Sequence, residues 1–152
     1  VYSAGLLLQS NVGTQYCTTA ANSTGVPASL SGSGSMAASD NSFTLGATAL
    51  PINAFGFFIA SQSQGFVGNP GGSAGNLCLS GSIGRYVGAG QIKNSGGAGE
   101  FALTPDLTQT PQPTGFVSIA AGETWNFQAW FRDSSGGTAT SNFTNGLSLT
   151  FN

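Results

Sequence analysis

Apolar and polar residues alternate most clearly between Glu123 and Asp133. In an extended chain Trp125, Phe127, Ala129 and Phe131 fall on one side, and Asn126, Gln128, Trp130 and Arg132 on the other. The first row reads as the floor of a core. The second, polar around one tryptophan, suits a face that is half wet or covered by another element. Shorter alternations flank this strand: Leu30, Gly32, Gly34 and Met36; Phe43, Leu45 and Ala47; Phe55, Phe57 and Ile59; Leu77, Leu79, Gly81 and Ile83; Leu147, Leu149 and Phe151. Turn clusters such as Asn22 to Pro27 and Thr110 to Thr114 separate them. Two glycine-rich stretches, Gln62 to Gly75 and Gly88 to Gly99, read as long loops.

No segment carries helical periodicity. Eight or nine short strands at near-regular spacing predict an all-β, antiparallel β-sandwich, jelly-roll or immunoglobulin-like in topology. The chain of 152 residues fits one domain. We divide it into an apolar N-terminal arm, 1–12, and a single β-sandwich domain, 13–152. The arm holds Leu6, Leu7 and Leu8 in a row, which would show apolar side chains on both faces of any strand. It is a candidate donor strand that adds to the edge of a neighbouring copy.

Charge changes the picture by its scarcity. Three basic and five acidic residues give a net charge of −2, and only 5% of the chain is charged against the roughly 25% usual in soluble proteins. A neutral surface of hydroxyls and amides repels its own copies weakly, so self-association is easy. No basic patch exists for nucleic acid. No apolar run is long enough to span a bilayer.

Candidate chemistry is sparse. The chain has no histidine, which removes a Ser-His-Asp triad and the usual zinc ligand sets. Glu123 and Asp133 stand ten residues apart, about 33 Å if extended, too far to act as a glycosidase pair. Turn capping is the ordinary role for both. Asp40, Asp106 and Asp133 lack the Asp-x-Asp-x-Asp spacing of a calcium loop, and neither metal nor cofactor is assigned. Enzymatic activity is not expected. Cys17 and Cys78, the only cysteines, read as one disulfide formed in an oxidising compartment. Two buried free thiols are the alternative. Tyr86 and Trp130 have polar neighbours, which makes them the candidate ligand-facing aromatics, although packing is the commoner role for such side chains.

From about Tyr16 to Phe151 the chain resembles a known domain on specific segments. These are Ala21 to Gly25, the long run from Gly56 to Leu79 with its Gly-Phe-Phe, Gln-Gly-Phe and Asn-Pro-Gly-Gly pieces, Gly81 to Tyr86, Gly122 to Asp133 and Ser141 to Leu147. That domain is a Gly/Ser-rich, two-cysteine β domain of unassigned function, common at the C-termini of secreted proteins of environmental bacteria. The resemblance implies secretion and adds no activity. Here the domain fills almost the whole chain. The expectation is a secreted structural protein, extracellular or at the cell surface with its signal peptide removed. It would be a subunit of a filament or surface assembly whose main partner is itself. A carbohydrate-binding or adhesion module, with polysaccharide as partner, is the second expectation.

Overall fold

The computed structural model of the chain describes residues 11–152. Leu6, Leu7 and Leu8 of the arm lie outside the described residues. The described chain is all β, in antiparallel sheets, with two short 3-10 turns and no α-helix.

The long alternating stretch forms the longest strand, β13 (Thr124–Ser135). On one side it pairs with β5 (Phe55–Ser61) from Asn126 to Phe131. On the other it pairs first with β15 (Gly146–Thr150) and then with β14 (Thr138–Phe143). These two are one strand broken by a bulge. Between the pairs Phe127–Leu147 and Trp130–Phe143, two residues of β13 face three on the partner. The bulge turns Asn145 toward β3 (Ser29–Gly34), where its side chain accepts from the Leu30 N–H at 2.8 Å and donates to the Leu30 carbonyl at 3.1 Å. One amide thus does for β3 what a neighbouring strand would do. Outside β15 lies β2 (Thr14–Tyr16); outside β5 lie β8 (Gly84–Arg85) and β9 (Lys93–Asn94).

The second sheet holds β1 (Asn11–Val12), β3, β4 (Phe43–Thr48) and β10 (Phe101–Leu103) in that order. Both sheets feed one core. Leu30, Phe43, Leu45 and Ala47 come from this sheet; Phe58, Trp125, Phe127, Phe131 and Leu147 come from the β13 sheet. The expected inner row of β13 is therefore buried throughout. Phe43 sits at its centre, 5.6 Å from the Phe127 ring and 5.7 Å from Phe151. Cys17 and Cys78 are joined, closing a loop of 61 residues onto the start of the domain. In the chain-entropy account such a bridge contributes about 4 kcal/mol.

Several expectations change. Asn11 and Val12 pair with Ser33 and Gly32 and belong to the sheet rather than to the arm, because Val12 packs against the core. The stretch from Gln62 to Gly75 is not a loop throughout: β6 (Ser63–Gly68) pairs with β7 (Asn76–Ser80) through a bulge between Gln64 and Val67. Its side chains are mostly exposed, so no apolar alternation marks it. In β5 the core-facing row is Phe58 and Ala60; Phe57 and Ile59 face outward, and Phe55 is 57% exposed. A strand apolar on both faces gives alternation nothing to choose by. The connector after Leu107 holds β11 (Thr110–Gln112) and β12 (Gly115–Val117), with Phe116 65% exposed.

Candidate functional site

The outer face of the β13 sheet is divided in two. Over Asn126 and Gln128 it is covered by the β6–β7 hairpin. Gln128 is fully buried; its oxygen accepts from the Cys78 N–H at 2.9 Å. Its amide donates to the carbonyls of Asn76 and Thr144 at 2.7 and 2.8 Å. One side chain thus pins the hairpin and fills the gap opened by the bulge, with each polar atom satisfied. Asn126 helps through Ser61 and Gln64.

Beyond the hairpin the same face is open. Trp130 on β13 stands opposite Phe57 on β5, with ring centroids 5.0 Å apart. Ile59 on β5 stands opposite Arg85 on β8. Leu77, Ile83 and Phe143 complete an apolar groove of about 530 Å³. Leu79 is buried beneath it and forms, with the lining residues Ile59 and Phe143, a second, smaller core. The Arg132 guanidinium lies 5.0 Å from the centre of the Trp130 ring, a cation–π contact. Two of the three basic side chains therefore flank one apolar groove. Two other clefts are lined mainly by polar or small residues, such as Ser31 and Gly32 beside β1, or Thr19 and Ser29 beside Cys17.

Local chain geometry holds the rim. Gly84, between Ile83 and Arg85, passes so close to the Pro111 carbonyl that a Cβ would overlap it. Gly56 passes close to the Trp130 carbonyl, though less tightly, and a Cβ there would also clash. Neither tight approach is visible as a motif.

The sequence-predicted residues fare differently. Trp130 is half buried at the groove, as its polar row implied. Tyr86 is not ligand-facing: it is fully buried in the main core, its N–H bonded to the Phe58 carbonyl. It follows the groove strand β8 but turns inward, and burial raises its hydroxyl pKa, an effect that nearby Thr110 partly offsets. That hydroxyl completes no hydrogen bond among the described residues. Glu123 accepts from the Ala120 N–H and the Trp125 indole, which holds its carboxyl below the usual range. Asp106 accepts from Thr108 and Asn41 and is lowered likewise. Asp133 accepts from the Ser23 N–H and from Asn142. Each carboxylate thus ties a turn. Among the described residues no three acidic or cysteine side chains gather in a metal-binding group.

Phe57, Ile59, Leu77, Ile83, Arg85 and Phe143 were not marked as site residues by the sequence. The available signal was the two-faced apolar character of β5 beside a tryptophan on the polar row of β13. No family model matches the chain, and no curated protein or solved structure does either.

Proposed function

We propose that this is a secreted, non-catalytic structural protein. It acts as a subunit of an extracellular filament or surface assembly that joins copies of itself through the N-terminal segment. We read the two sheets and their shared core as a β-sandwich of the kind the sequence implied. The observation that carries the reading is how the chain enters the domain. Among the described residues β1 is a two-residue strand at the edge of its sheet, paired on one side with β3, and segment 1–10 joins the domain there, at Asn11. Low charge supports close approach of copies, and the disulfide supports an oxidising, extracellular location. Segment-mediated contact between copies is heterologous, so unless it closes into a ring it propagates as a fibre.

Deleting residues 1–10 tests this. The expected product is a folded, disulfide-bonded monomer, while the full chain assembles in light scattering and negative-stain microscopy. A full chain that stays monomeric at high concentration sinks the proposal.

The second reading, a carbohydrate-binding or adhesion module, draws on the half-buried Trp130 in an open groove. It is weaker because Phe57 and Arg132 already lie against that ring, leaving less of a face for a sugar to stack on.

A further inference from the structure

Resting on the assembly reading above, we propose that the groove over Trp130 receives the leucine triplet Leu6–Leu8 of a second copy of this chain. The groove needs an apolar occupant. Phe57, Ile59, Leu77, Ile83 and Phe143 present hydrocarbon, and Arg85 and Arg132 flank it. Segment 1–10 holds the one run of three large aliphatic residues in the chain and no charged side chain, so docking strands no charge in the groove.

The occupant comes from another copy because the donor's own groove is out of reach. Thr14 pairs with Ser148, which pairs with Asn126, so Thr14 lies level with Asn126 two strands away. β2 is antiparallel to β15, and β15 to β13, so β2 runs the same way as β13. Going back from Thr14 toward Asn11 therefore leads away from Trp130. The partner of β1 confirms the direction. Asn11 pairs with Ser33, and three residues on the Met36 carbonyl accepts from the Asn152 N–H, beside the start of β13. Asn11 is thus level with about Trp125 to Asn126, roughly 15 Å from Trp130 along the strand direction at about 3.3 Å per residue; about 10 Å of sideways displacement and about 10 Å between the sheets bring the separation to roughly 20 Å. The groove also opens on the far side of the sheet. Leu8 is three residues before Asn11 and Leu6 five, so they reach at most about 11 and 18 Å even fully extended. The triplet falls short in its own copy and is free to enter a neighbour's. Exit at one end of the domain and acceptor toward the other give a head-to-tail contact.

The full-length chain carrying a photoreactive benzoylphenylalanine in place of Leu7 tests this. Isotope-labelled and unlabelled copies are mixed, irradiated and digested. Labelled-to-unlabelled crosslinks are expected on peptides holding Phe57 and Ile59, Leu77 to Arg85, or Trp130 to Phe143. Inter-copy crosslinks confined to other surfaces overturn the groove assignment while leaving the assembly reading standing. Monomeric protein without inter-copy crosslinks overturns both. In parallel, Ile83→Arg should fold with its disulfide intact and raise the concentration needed for assembly by at least about tenfold. A folded Ile83→Arg chain that assembles at the wild-type concentration also overturns the groove assignment. Should that variant fail to fold, the crosslink map decides.

Discussion

Replacing Gln128 by Leu probes the link between the core strand and the groove. The change keeps the approximate volume and leaves three backbone groups without their partner: the Cys78 N–H and the carbonyls of Asn76 and Thr144. Cys78 and Thr144 are buried, so their groups lose a bond without regaining water; Asn76 is half buried and recovers part of its solvation. At about 1–3 kcal/mol per orphaned buried group, and with a small gain from the apolar leucine, the net loss is about 3 kcal/mol. For a chain of this length that is a fall of roughly 6–12 °C in Tm. Urea denaturation gives the free energy, and hydrogen exchange locates it. The Cys78 amide should be slow in the wild type and open early in the variant, because the β6–β7 hairpin loses its central pin. Gln64→Ala is the control: its amide reaches Asn126 at 3.3 Å from an exposed position where water can take its place, so it should change stability by no more than about 0.5 kcal/mol. A loss under about 1 kcal/mol for Gln128→Leu, or unchanged exchange at Cys78, would show that the hairpin is held by something else.

Trp125→Ala should cost about 3–5 kcal/mol in chemical denaturation, as large aromatic truncations in cores do, and Trp130→Ala clearly less, since one ring is fully buried and the other lines the open groove. Equal losses would mean that the two faces of β13 are misassigned. Tyr86→Phe should leave stability unchanged or raise it by up to about 1 kcal/mol, because it removes a buried hydroxyl with no hydrogen-bond partner among the described residues; a loss above about 1 kcal/mol would reveal a partner for it. Glu123 and Asp106 have folded pKa values below their ordinary ones, so the stability they add is complete above the ordinary carboxylate value and is lost as pH falls through the lowered one. Melting temperature followed from pH 6 to pH 2 should therefore drop less steeply for Glu123→Gln than for the wild type, and identical profiles would remove Glu123 from the account.

What depends on period and inventory was legible in the chain before any tertiary contact. Alternation from Trp125 to Arg132, broken only by Trp130 on the polar row, made β13 legible as the central strand and Trp125, Phe127, Ala129 and Phe131 as core, since side chains on a pleated strand must alternate. Two cysteines with no competing ligands made the disulfide legible, and clusters such as Asn22 to Pro27 marked turns by backbone preference alone. Tertiary structure decided everything that rests on which surface meets which. β5 is apolar on both faces, so only its partners select Phe58 for the main core and Phe57 for the groove. Tyr86 stands among polar and small residues in the chain yet is buried, because β8 pairs with β5 and directs the next residue inward. Gln128 and Asn145 look like surface amides and are buried braces, since a bulge and a covering hairpin leave backbone groups that only side chains of that reach can satisfy. The groove joins residues from β5, β7, β8, β13 and β14, far apart along the chain, and no local pattern encodes a surface assembled from five strands.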